Sequence, residues 1–597
     1  MSESATVDDG ASDGANALPP SVRHRVLGTT FVGIRHPAST ESCKLDSFRG
    51  IKYASIPARF TKSVLQTEYP PLVDATHHGP VAPQVKYRGV EKKLFGLEEH
   101  QFPPQHFHQD EFECLSLNIT APANIQPQAR LPVMVWIHGG SNIGGAGSRW
   151  ILDGGVLVRK SMEVQKPMIV VSINYRLGLF GFAASPALQA DNARLGSPGV
   201  GNYGLHDQIN ALLWIQSYIS SFGGDPSNVT IFGDSAGASN IHLIMMSNEW
   251  ASRPKGSRLF TRAILQSGVA YPSIPTVHQQ GVDLARVMAT LRIKTIDELR
   301  SVDPEKLVAV TGNRVRPTND GTFFHPSYMW STTSTSSSSS GPYAFHPASK
   351  LDSLMLGDCH YESFPAESVA SLWTPMSATR RIKAIVQGVY KAESLLRAYE
   401  ITPETHPLDL PDRLLELIGD ASVHYSVDLL ARAVEQSGTK VFRYAFDQGS
   451  PYNGVAHHAV DLLFVFGNAQ EMMDGWDERR IRDAIQDRWI AFANGEEPWT
   501  PFHYEPPSSA LTASAEDSDS DSDSLDTPTQ SEAESGVFVF GPCGEFGSRP
   551  VCELDYRRRR DAWHEGFEVP GLSLQEIVKI GSELANGPAG YNTRAKY

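Results

Sequence analysis

Four short runs of almost wholly apolar residues, each closed by glycine or polar turn residues, constrain this 597-residue chain more than any other feature. Residues 133–137 lead into His138-Gly139-Gly140, and 168–173 into Asn174-Tyr175-Arg176. Residues 229–232 lead into Gly233-Asp234-Ser235, and 263–265 into Gln266-Ser267-Gly268. A strand with one wet face alternates apolar and polar residues. A run apolar at every position is covered on both faces, as in a parallel or mixed sheet between helix layers. Helical patterns lie between and after these runs. In 206–222, Ile209, Leu212, Leu213, Ile215, Ile219 and Phe222 recur near the helical period, and Gly223-Gly224 stops the helix. Later, Ile481, Ala484, Ile485, Trp489 and Phe492 form one apolar stripe, capped by Asn494-Gly495. With further β-rich segments at 30–34, 48–53 and 115–120, the order reads as an α/β fold: a mixed, mostly parallel sheet with helices on both faces.

Composition narrows the function classes. The net charge is -15, and eight of the acids lie in the Ser-Asp-rich stretch 512–535, which leaves -7 for the rest. Nucleic-acid binding calls for a basic stripe. The only short basic run is Arg557 to Arg560, which reads as one turn of exposed helix. No stretch of about eighteen apolar residues suggests a membrane span, and the first thirty residues hold no secretory apolar core. Residues 1–25 read as a disordered tail, and residues 26–597 as one catalytic domain. Low-complexity insertions at 331–341 and 512–535 have too little apolar surface to pack and read as solvated loops. His77, His78, His100, His106 and His108 match no metal-ligand spacing, so neither a metal nor another cofactor is expected.

Gly-x-Ser-x-Gly occurs twice, around Ser12 and around Ser235. Such a pentapeptide arises by chance roughly once per few thousand positions, so context must decide. A nucleophilic serine needs the sharp strand-to-helix turn that lifts its Oγ above the sheet. Ser12 has only polar, low-complexity neighbours. Ser235 follows the apolar run 229–232 and precedes 238–246, whose Ile241, Leu243, Ile244 and Met245 suit a buried helix. Ser235 is therefore the candidate nucleophile.

From these motifs the chain resembles the type-B carboxylesterase/lipase family, the group that includes cholinesterases. The most specific stretch runs from Gly201-Asn202-Tyr203-Gly204-Leu205-His206-Asp207-Gln208 through Phe222-Gly223-Gly224-Asp225-Pro226 to Gly233-Asp234-Ser235-Ala236-Gly237. Phe48-Arg49-Gly50-Ile51, Cys114-Leu115-Ser116-Leu117-Asn118 and Asn174-Tyr175-Arg176-Leu177-Gly178 extend the likeness over nearly the whole chain after residue 28. The resemblance implies the α/β-hydrolase fold and a carboxylic ester hydrolase working on a small-molecule ester through a serine acyl-enzyme. It also implies the chain order Ser, Glu, His. The acid falls at Glu362, five residues after Gly357, with Asp358 the rival. The histidine falls at His458, six residues before Phe464-Val465-Phe466-Gly467, with His457 the rival.

Backbone N–H donors for the developing oxyanion would come from Ala236 and from the glycine loop, where Gly140 and Ser141 match the second and third glycines of the family's His-Gly-Gly-Gly. Ser141 brings a Cβ toward the site, and Asn142 replaces the family's aromatic wall. Asp234 and Ser267 stand where relatives carry residues near the triad. Secreted relatives pair a cysteine at the position of Cys114 with one in a segment that here reads Gly79-Pro80-Val81-Ala82-Pro83-Gln84. The missing partner implies a reducing, cytoplasmic setting. Two other readings belong beside the esterase: a non-catalytic adhesion-type member of the family, and a thioesterase or lactonase using the same serine.

Overall fold

The computed structural model describes residues 18–86, 90–105, 107–270, 272–311, 316–326, 350–504 and 536–588. Ser12 and the insertions 331–341 and 512–535 lie outside them. The scaffold is an eleven-stranded sheet. Its strands are β1 (Ile34–Arg35), β2 (Leu45–Lys52), β3 (Ser116–Pro122), β4 (Leu131–Ile137), β5 (Ile169–Ile173) and β6 (Gly224–Asp234). They continue with β7 (Arg262–Gln266), β8 (Ser353–Cys359), β9 (Lys440–Phe446), β10 (Gly536–Phe540) and β11 (Phe546–Pro550). The spatial order is β11-β10-β9-β8-β7-β6-β4-β5-β3-β2-β1. Pairing is parallel from β10 through to β5 and antiparallel at both flanks.

The apolar runs behave as two-faced strands should. Along β4, Val133, Val135 and Ile137 enter one core with Ile209, Leu212 and Trp214 of the helix Tyr203–Tyr218. The alternate residues Met134 and Trp136 enter a second core with Phe232, Ile264 and Trp489 of the helix Trp476–Ala493. The period of two along a strand thus divides its residues between two helix layers. Gly223, with φ of 84°, closes the turn of 3-10 helix Ile219–Phe222 that ends the first helix. A third apolar cluster joins the helices Pro375–Ile385, Val389–Ala398 and Leu410–Gly419 to the C-terminal helix Leu574–Ala585.

Ser21–His24, which falls inside the expected tail 1–25, is not loose chain but a strand paired antiparallel with Thr29–Val32. His24 anchors it: the ring is buried and Nε2 lies 3.2 Å from the carbonyl of Tyr218. Nor is Arg557 to Arg560 a solvated turn. Arg557 and Arg559 are exposed, but Arg558 and Arg560 are 9% and 1% exposed. Arg558 pairs with Asp358 and, at 2.6 Å, with Asp447. The run alternates because alternate guanidiniums turn inward to buried carboxylates. A count of charges cannot register that.

Candidate active site

β6 ends at Asp234, the helix Ala236–Met245 begins at Ala236, and Ser235 is the single residue between them. Its backbone, at φ 55° and ψ -120°, lies outside the regions open to ordinary L-residues, which costs about 1–3 kcal/mol. Close packing holds the turn. A Cβ on Gly237 would sit 2.1 Å from the carbonyl oxygen of Ile137, and one on Gly268 would sit 2.3 Å from that of Ser235. Ser235 N–H also donates to Gln266 O at 2.9 Å, tying the turn to the end of β7. The strain and the serine's position are therefore imposed by neighbouring strands.

β8 ends at Cys359, and the following turn carries Glu362, which is 6% exposed. Cys359 N–H donates to Glu362 Oε1 at 2.7 Å. Oε2 lies 2.5 Å from His458 Nδ1. The histidine segment lies alongside, through a parallel bridge between Tyr361 and His457 and a bond from His458 N–H to Tyr361 O at 3.0 Å. Neighbouring rings have opposite surroundings. His457 is fully buried, stacked on Phe364 at 4.7 Å, with Nδ1 toward the carbonyl of His458. It is His458 whose ring meets Glu362. The rival acid, Asp358, points elsewhere, to Arg443, Arg558 and His424.

The electrostatics sort the carboxylates into two kinds. Burial pushes Glu362 up, but the charge and hydrogen bond of His458 prevail and hold it below the ordinary glutamate range. Burial pulls His458 down, but Glu362, with smaller help from Asp234 and Asp461, raises it to about 9. Burial drives Asp234 well above the aspartate range; Asp461 and Glu362 add to this and His458 opposes it. Asp461 is raised likewise by burial, though it accepts from Gln266 Nε2 at 2.8 Å and Tyr444 OH at 3.1 Å. One acid held low thus faces the imidazole, while burial shifts two nearby acids in the opposite direction. Asp461 was not singled out from sequence; its one signal is a lone acid in the apolar segment 459–466. Ser267 is buried at φ 51°, with Oγ 3.9 Å from Cys359 Sγ. Phe464-Val465-Phe466 is the end of the helix Asp461–Phe466, closed by Gly467 at φ 67°.

After β4 the glycine loop runs through three positive-φ residues: Gly140 (109°), Ser141 (54°) and Asn142 (60°). Gly140 and Ser141 are exposed, so the Ser141 side chain stands in solvent. Asn142 is 6% exposed and turns inward. Its Nδ2 donates to Asn240 Oδ1 at 3.1 Å, and Asn240 Nδ2 donates back at 2.8 Å. Asn240 lies on the helix after Ser235, so this amide pair joins the loop to the serine's own helix. Tyr175 OH donates to His138 O at 2.8 Å from below. Burial lowers His138 to about 4, which keeps that ring neutral. As the first residue of its helix, Ala236 has an N–H without an intrahelical acceptor. All five cysteines, Cys114 included, are free.

Comparison with known proteins agrees with this architecture. Residues 20–518 match the model of the carboxylesterase family. A para-nitrobenzyl esterase of Bacillus subtilis is 31% identical over 522 residues, covering 81% of this chain and 93% of the relative. Lipase 3 of Yarrowia lipolytica is 29% identical over 494 residues, covering 80% of this chain and 89% of the lipase. A solved PNB esterase structure superposes with a TM-score of 0.62 at 24% identity, over 90% of this chain and 99% of that one. The chain belongs to the carboxylesterase family and is a serine carboxylic ester hydrolase with the α/β-hydrolase fold.

Proposed function

We propose that residues 26–597 form one catalytic unit that hydrolyses small-molecule carboxylic esters with Ser235 as nucleophile, His458 as base and Glu362 as orienting acid. The observation that carries this reading is the 2.5 Å contact of His458 Nδ1 with a buried glutamate, in a chain whose Ser235 sits on a strained strand-to-helix turn. With Nδ1 engaged by Glu362, Nε2 is the nitrogen left to take the Ser235 proton as Oγ attacks the ester carbonyl. The glutamate fixes the tautomer and stabilises the imidazolium. The N–H groups of Gly140, Ser141 and Ala236 receive the oxyanion. Collapse expels the alcohol with the proton from His458, and water repeats the sequence on the acyl-serine. A Ser–Glu–His set of this kind needs no metal or organic cofactor.

Replacing Ser235 with alanine should lower turnover of an activated ester by roughly three to six orders of magnitude with the fold intact. Mass spectrometry after organophosphate treatment should find the phosphoryl group on Ser235. Labelling of any other serine, with activity lost in proportion, overturns the assignment.

A further inference from the structure

A cavity of about 500 Å³ lies on the side of the molecule where the helix Gly155–Glu163 packs, and none of the six residues assigned above lines it. That volume is ordinary for a small-molecule site. Its wall and floor are tied together. Trp150 N–H donates to Gln105 Oε1 at 2.9 Å, and Asn468 Nδ2 donates to Ile151 O and Asp153 O at 3.1 and 2.8 Å.

The lining is aromatic on one side and cationic on the other. Trp150, stacked on Phe102, and Phe107 supply the rings. Arg49 and Arg159 supply two guanidiniums against one lining carboxylate, Asp153, which already pairs with His36 Nε2 at 2.8 Å. Among the described residues no carboxylate lies within ion-pair distance of Arg49; its Nε donates to Ser47 Oγ at 3.3 Å. Burial disfavours the charged form of Arg49 and the Asp153 charge offsets this only in part, so an incoming anion would relieve the remaining cost. Ser148 Oγ, also in the lining, is buried without a hydrogen-bond partner.

We infer that this cavity is a second ligand site, for an aryl or acyl carboxylate whose head reaches Arg49 and whose apolar body lies against Trp150. Planar guanidinium with carboxylate gives the charge-assisted pairing, and the rings give the apolar contact. The ligand class coincides with the acid released by the proposed hydrolysis. Ser148 and Trp150 directly follow the glycine loop, so an occupant would touch the segment that anchors it.

Isothermal titration of the full chain with 3-phenylpropionate and with 3-phenylpropionamide tests this without using activity. The carboxylate should bind saturably with the amide at least tenfold weaker, and Arg49→Gln should weaken the carboxylate about tenfold or more. Arg159→Gln should act in the same direction, and serves alone if the Arg49 variant does not fold. Ser235→Ala and organophosphate-blocked protein should bind as wild type does, so failure of the nucleophile assignment would leave this result standing. No saturable binding, equal binding of the amide, affinity unchanged in the folded arginine variants, or binding abolished by the organophosphate would each overturn the inference.

Discussion

His458 and Glu362 form a coupled pair whose consequences are visible in pH. A base must be neutral to accept the serine proton, so activity rises with pH through the imidazole's pKa. With that pKa raised to about 9 by the glutamate, the rising limb of kcat/KM should lie well above the ordinary histidine value of 6.5. Glu362→Gln removes the charge that favours the imidazolium, so the limb should fall toward 6.5 while turnover drops by about two to four orders of magnitude. A limb at the same pH in both proteins would show that Glu362 does not face the base. The neighbouring histidine gives the control. His458→Ala should be inactive, whereas His457→Ala should mainly lower the melting temperature, because that ring is buried against Phe364. If His457→Ala is the inactive variant, the base is misassigned. The strand-to-helix turn at Ser235 and the segment that carries His458 were legible in the sequence because each sits in a short-range pattern. Asp461 and Gln266 were not, because β7 and the helix after His458 are brought together only by the sheet.

At the scale of elements, what matters is how the glycine loop keeps its shape with serine and asparagine at two left-handed positions. Ser141 and Asn142 both adopt left-handed backbone, a region in which asparagine is among the better-tolerated residues. The amide pair with Asn240 then converts a local preference into a fixed distance between the loop and the helix that follows Ser235. In the motif alone Asn142 reads as a lost aromatic wall, since a one-dimensional pattern does not tell which way a side chain turns. Asn142→Ala leaves Asn240 buried with an unmatched amide and should cost about 1–3 kcal/mol of stability. If the pair positions the loop's donors, kcat should fall more than KM changes. Asn240→Ala should mimic it, and the double variant should be no worse than either alone. Additive losses in a double-mutant cycle would mean that the two amides act independently. The strands were legible for a similar reason of range. β4 to β7 announce themselves as apolar runs, whereas β9, with Lys440 and Arg443 in it, and the polar β11 do not; β10 is apolar from Val537 to Phe540 but stands apart from the others, beyond the Ser-Asp-rich stretch.

Across the whole molecule, Asp358 is the point where remote segments converge. It is the last residue but one of β8, four positions before Glu362, and it is fully buried. Arg443 from β9, His424 at 3.2 Å and Arg558 from the C-terminal region all meet it, and Arg558 continues to Asp447. Residues two hundred positions beyond β8 thereby help to fix the strand end that presents Glu362. Burial pushes the Asp358 carboxyl up, but Arg443, Arg558 and His424 hold it well below the ordinary value of 3.8. A depressed carboxylate contributes stability that is fully present above its unfolded pKa and is lost as pH falls through the folded one. Asp358→Asn leaves buried guanidiniums short of an anion and should cost about 3–5 kcal/mol at pH 7. The gap from wild type, read from urea midpoints, should stay constant down to about pH 4.5 and narrow below 3.8, where the unfolded chain takes up the proton. Arg558→Ala should lose a comparable amount at pH 7. If the Asp358→Asn gap is as wide at pH 3 as at pH 7, the carboxylate's charge is not what joins the C-terminal region to the acid turn.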